Sequence, residues 1–210
     1  MADVSDIARG FVLGLSIAAP VGPIGVLCIR RTLAYGRAVG FVSGLGAATA
    51  DTTYGAVAGF GLTAVTHLLT GAAFWLHLGG GVFLLWLGVT TFRAAPAEDA
   101  AGALARGLLA SYLSTFALTL ANPTTIFSFI AIFAGIGVAT TNAASTALVV
   151  AGVFGGSALW WFLLSGATTL LRGKMTPARL AIVNKFSGAV IGAFGALALL
   201  SVILDVLHLH

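Results

Sequence analysis

Charged side chains are scarce in this sequence: Asp, Glu, Lys and Arg make up 8% of the 210 residues, about a third of their share in soluble chains. Too few remain to cover a folded surface in water, which excludes a water-soluble globule. Acidic residues number 6 against 10 Lys and Arg, for a net charge of +4. The basic residues stand between apolar runs instead of forming a patch, so nucleic acid is excluded as a partner. Cysteine occurs once, as Cys28, which rules out an internal disulfide, a Cys-x-x-Cys redox pair and a thiolate metal site. The histidines, His67, His77, His208 and His210, form no i, i+4 pair; no metal site and no cofactor is expected. Intramembrane catalysis would need a nucleophile with a partner at depth. The deep positions hold one aspartate and no histidine, so the chain is not expected to be an enzyme.

What is abundant is apolar: 59% of the residues are hydrophobic and the mean hydropathy is +1.07. The solvent must be largely lipid. A helix crosses a hydrocarbon core about 30 Å thick with about 20 apolar residues, so this length leaves room for about six spans. The apolar runs place them at residues 10–29, 39–61, 73–92, 107–133, 143–171 and 185–207, an all-α membrane protein forming one transmembrane domain over residues 1–210. Arg9 followed by an apolar stretch ending in Ser16 to Ala19 could suggest a signal peptide. Asp3 and Asp6 precede it and the run continues past Pro20 and Pro23, so it is read as the first span.

Orientation follows from the positive charges, which are retained on the cytoplasmic side. Arg30, Arg31 and Arg37 follow the first span, Arg93 and Arg106 the third, and Arg172, Lys174, Arg179 and Lys185 the fifth; residues 62–72 and 134–142 hold none. Both termini are therefore expected outside. Residues 93–106, with Pro96, Glu98 and Asp99, read as a cytoplasmic linker between two halves, 1–92 and 107–210. Three spans on either side make the halves enter the membrane in opposite directions, an inverted repeat.

Proline supports that division. Pro20-Val21-Gly22-Pro23 interrupts the first span of one half and Asn122-Pro123-Thr124 the first span of the other, whereas Pro96 and Pro177 fall in predicted loops. Proline removes a backbone donor and clashes with the preceding turn, at about 3 kcal/mol inside a helix. Counted at about 1.5 Å per residue, both breaks fall near the bilayer middle. Such breaks are tolerated where the freed backbone faces protein or a cavity, and they are where carriers hold substrates: half-helix amides face anions and freed carbonyls face cations. A packed kink is the bland alternative for a lone proline.

Asp51 is the acidic residue predicted deep in a span, about 18 Å along the second helix from Val39. An intramembrane carboxyl is expensive and usually marks a proton relay, an ion site or a substrate counter-ion; a protonated aspartate bonded to its helix neighbours is the alternative. Thr49, Thr52, Thr53 and Tyr54 surround it, beside the small Ala47, Ala48 and Gly55. Tyr54, at i+3, shares its face and could line a pocket or simply pack. Trp160 and Trp161 lie deep in the fifth span, where packing is the plainer reading and stacking on a ligand the sharper one, while Trp75 and Trp86 read as interfacial anchors. Small-xxx-small pairs at Gly10/Gly14, Gly40/Gly44, Gly55/Gly59 and Gly188/Gly192 allow close helix approach. Among 28 glycines none specifies a dimer face, and a homodimer stays an open option.

The Pro20-Val21-Gly22-Pro23 element, the basic turn from Arg30 to Arg37 leading into a glycine-spaced helix that ends in Asp51, and Asn122-Pro123 opening a Phe-rich stretch resemble, in this order, the LysE/RhtB family of amino-acid exporters. The resemblance covers nearly the whole chain. It implies a six-helix carrier of the bacterial inner membrane that exports an amino acid or related small metabolite, driven by the proton gradient. On that reading the substrate is a zwitterion: its carboxylate meets amides near Gly22, Ile24, Thr124 and Thr125, and its ammonium approaches Asp51, Asn122 or a carbonyl freed by Pro20, Pro23 or Pro123. Proton and ammonium then compete for Asp51, which makes the transport an exchange. Two other readings compete with it. A metal-cation or small-solute exporter would need several hard oxygens or deep His and Cys ligands. A noncatalytic assembly subunit would leave the matched breaks and Asp51 unexplained.

Overall fold

The computed structural model describes residues 4–20, 22–60, 73–93, 107–122, 125, 129, 143–174 and 176–208. These form α1 (Val4–Ala18), α2 (Pro23–Tyr35), α3 (Arg37–Gly59), α4 (Ala73–Phe92), α5 (Leu108–Leu120), α6 (Ala143–Arg172) and α7 (Pro177–His208), with no strand among the described residues.

The first predicted span is two helices whose axes bend by 81°. α1 stops at Ala18, and the Gly22 amide donates to the Pro20 carbonyl at 3.0 Å. Pro23 then opens α2 behind an extended Gly22 (φ −98°, ψ −160°), a first-turn position where its missing N–H is no loss. A second turn separates α2 from α3 at Gly36, whose φ of +101° is a conformation glycine alone adopts easily.

α4 occupies the predicted 73–92, and α3 and α6 agree with their predicted spans to within a residue or two at each end. The last helix differs. The 185–207 span begins instead at Pro177, because Pro177 suits the first turn and Thr176 caps it: the Arg179 amide donates to Thr176 Oγ1 at 3.3 Å. Pro177, Arg179 and Lys185 thus sit on a helix and not in a loop. In the 107–133 run the structure describes α5, Ala121, Asn122, Thr125 and Phe129. Val21, Pro123, Thr124, the 94–106 linker segment and the 62–72 and 134–142 connections lie outside the described residues.

α1 lies along α6, α4 along α7, and α3 packs between α5 and α6, with α2 against α3, α6 and α7. Backbone meets backbone at the α1–α6 seam: a Cβ on Gly10 or Gly14 would fall on the carbonyls of Val149 or Val153, and one on Gly152 or Gly156 on those of Ile7 or Phe11. The interior is rich in small and hydroxyl side chains, with Ser43, Thr32, Thr115, Ser157 and Ala48 fully buried, while Phe162, Leu163, Leu170, Ile182, Phe186 and Leu197 face outward. Small residues inside and large apolar ones outside is the packing of helices in lipid. By length and composition, α6 and the Pro177–Leu204 part of α7 can each cross a membrane, as can α1 and α2 together as one bent span.

Candidate functional site

The α1–α2 break, α3, the end of α5, α6 and, through Phe194, α7 line a partly open cavity of about 300 Å³. Its wall carries Ala18, Pro20, Gly22, Pro23, Ile24 and Gly25 from the break, Ala47 and Asp51 from α3, Thr119 and Asn122 from α5, Thr125, and Trp161 from α6. Of the residues singled out from the sequence, Pro20, Gly22, Pro23, Ile24, Asp51, Asn122 and Thr125 thus meet at one cavity. Pro123 and Thr124 lie outside the described residues.

Small neighbours let α3 carry a carboxyl here. Ala47, Ala48 and Ala50 are buried against adjoining helices, so the backbone comes close and Asp51 fits with 3% exposure. Ser157 Oγ donates to Asp51 Oδ2 at 2.8 Å, and Trp161 Nε1 donates to Ser157 Oγ at 3.2 Å. The indole thereby fixes the serine's lone pair and turns its proton toward the carboxylate. Among the described residues no cation pairs with Asp51. Its carboxyl is thus held, among the described residues, by one neutral donor at the wall of the cavity.

The N-terminal turn of α2 lines the same cavity. Of the amides expected near Gly22, Ile24, Thr124 and Thr125, that of Gly22 is bonded to the Pro20 carbonyl and that of Thr125 to the Asn122 carbonyl; the amides of Ile24 and its neighbour Gly25 have no acceptor among the described residues. The positive end of the helix dipole, with N–H groups that have no acceptor among the described residues, favours an anion.

Tyr54 is not on the cavity wall. Its hydroxyl donates to the Leu120 carbonyl at the end of α5, and its ring lies 5.8 Å from that of Phe129, so it supports the end of α5 by a hydrogen bond and packing. The threonines near Asp51 in sequence, Thr49, Thr52 and Thr53, donate to carbonyls one turn back on their own helix, and Thr49 accepts from the Tyr112 hydroxyl. Ser157, Thr119 and Gly25 were missed by sequence reasoning. A serine beside Trp160 and Trp161 in an apolar run was the available signal for the first; nothing marked the others.

Among the described residues, fold and cavity define an all-helical membrane protein with a mostly apolar site at a helix break that carries one buried carboxyl and a few hydrogen-bonding side chains. The model of the LysE type translocator family matches residues 15–202, and the chain belongs to that family. It is 28% identical over 171 residues, 79% of this chain and 76% of the relative, to Uncharacterized membrane protein YahN of Escherichia coli (strain K12). It is 26% identical over 190 residues, 88% of this chain and 90% of the relative, to Putative amino acid efflux protein YcgF of Bacillus subtilis (strain 168). No solved structure matches the chain significantly.

Proposed function

We propose that this chain is a secondary active transporter that exports an L-amino acid or related small zwitterion across the bacterial inner membrane by proton-coupled antiport, with both termini outside. The observation that carries this reading is the cavity, whose wall holds both the first turn of α2, with amides that have no acceptor among the described residues, and a buried carboxyl. The amides of Ile24 and Gly25 take the substrate carboxylate; Asp51, aligned by Ser157, takes the ammonium or, in its place, a proton. A volume of about 300 Å³ is at the small end of ligand sites and suits a single small metabolite. The efflux activity in the name of the Bacillus relative points the same way.

The helix pairing supports two inverted halves, residues 1–92 and 107–210, joined by the cytoplasmic linker 93–106. Exchanging the halves turns the α1–α6 pair into the α5–α3 pair and maps the α4–α7 and α3–α6 pairs onto themselves. Counterflow tests the reading: proteoliposomes preloaded with unlabelled L-amino acids should accumulate at least one labelled amino acid from an external mixture. No accumulation of any of them overturns the substrate class.

A further inference from the structure

Arg31, on α2, lies half-buried where α2 meets α3 and α5. Its Nη1 donates to Ser43 Oγ, Thr115 Oγ1 and the Ser111 carbonyl, each at 2.9 Å, and its Nη2 to Ser114 Oγ at 2.9 Å. The three hydroxyls are committed acceptors, because each donates its own proton to a carbonyl of its helix: Ser43 to Val39, and Ser114 and Thr115 to Ser111. The next residue, Arg30, is buried with its Nε on Asn184 Oδ1 of α7 at 2.8 Å. Two adjacent guanidiniums therefore hold the end of α2 against three other helices through neutral oxygens. No carboxylate meets either among the described residues. Asp51 is eight residues along α3 from Ser43, about 12 Å away. Neutral partners bind a guanidinium more weakly than a carboxylate does, which offers two oxygens to the planar fork at once.

The socket lies one helical turn of α5 from the cavity wall. Thr115 stands one turn before Thr119 on α5, and Thr119 and Asn122 are on the cavity wall, so one face of α5 carries hydrogen-bonding groups from Arg31 to the site. We propose that Arg31 is a second recognition residue for the substrate's carboxylate, on the route between the cavity and the α2–α3 end of the bundle. In the present conformation its fork is parked on α3 and α5 and closes that route. When α2 separates from α5, a passing carboxylate replaces the four neutral oxygens. The inference rests on the transporter reading above.

The test is counterflow with an equimolar mixture of labelled L-amino acids, on wild type, Arg31→Gln, Arg31→Lys and Ser114→Ala. For an amino acid that accumulates, half-saturation is compared with inhibition by its own carboxamide, which lacks the negative charge. Arg31→Gln should raise half-saturation for the acid by roughly tenfold to a hundredfold, the loss of a charge-assisted contact, and leave inhibition by the carboxamide unchanged. Arg31→Lys should recover part of the loss, and Ser114→Ala, which removes a competitor for the fork, should not weaken the acid. A purely structural latch would shift acid and carboxamide together; that result, or no change in Arg31→Gln, overturns the proposal. Reactivity of the buried Cys28 checks that each variant is folded, and Arg31→Lys decides if the glutamine variant is not. Wild type that moves no amino acid refutes the parent reading, an outcome distinct from wild type that moves one while Arg31→Gln keeps full discrimination.

Discussion

The same substitution should have opposite effects at Gly14 and Gly22. A Cβ on Gly14 would strike the Val153 carbonyl oxygen and lie 2.8 Å from both the carbonyl carbon and the Cα of that residue. The atoms struck are backbone of a 30-residue helix and cannot rotate aside, so α1 must move off α6. Alanine gains about 1 kcal/mol of helix propensity over glycine, but overpacking of this kind reaches about 3 kcal/mol; the net expectation for Gly14→Ala is a loss of about 2 kcal/mol. At Gly22 an added Cβ meets no heavy atom of the described residues within 4 Å, and the φ of −98° is open to any residue. Gly22→Ala should be neutral or stabilising by up to about 1 kcal/mol, through a less flexible unfolded chain. Cys28 makes the assay simple, being the single cysteine of the sequence and 2% exposed, so a thiol-reactive fluorophore reports unfolding as detergent-solubilised protein is heated. Gly14→Ala should react at a clearly lower temperature than wild type and Gly22→Ala should not. A Gly14→Ala protein as stable as wild type would refute the backbone-to-backbone seam.

Three further outcomes follow from the site. Gly22→Leu should keep the Cys28 unfolding temperature yet abolish amino-acid counterflow, since its side chain would enter open space at the cavity wall; full transport would show that substrate does not pass there. Ser157→Ala removes the hydroxyl that accepts from Trp161 and holds Asp51, a bond to a carboxyl of about 1.5–3 kcal/mol, and should slow counterflow roughly tenfold or more and also lower the Cys28 unfolding temperature. Tyr54→Phe frees the Leu120 carbonyl at a cost of about 0.6 kcal/mol, the average for side-chain hydrogen bonds in membrane helices; the same heating assay should show a small drop, with the half-saturation for substrate unchanged because Tyr54 is off the cavity wall.

The first helix break was legible because two prolines around a glycine admit no continuous helix, whatever surrounds them. α4 was legible because Arg93 and the turn residues beyond it bound an uninterrupted apolar run. The start of α7 was not: Arg179 and Lys185 looked like loop charges, but long basic side chains near a helix end reach out to the interface. Asp51 stood out by its chemistry alone. Ser157 did not, since its role depends on α3 and α6 lying side by side, 106 residues apart in sequence. Distance also hid the Arg31 socket, whose acceptors on α5 are 80 or more residues away. Small-residue spacing announced close packing at Gly10 and Gly14, but the partner helix became known only from the fold.

The central claim is that Asp51 exchanges a proton for a substrate ammonium. It is tested most directly by loading proteoliposomes with a labelled amino acid that undergoes counterflow and following its efflux under an imposed pH gradient, for wild type and Asp51→Asn. The account predicts that the gradient accelerates efflux from wild type and has no effect on Asp51→Asn, which cannot release a proton. Equal acceleration of both would contradict it and place the coupling elsewhere.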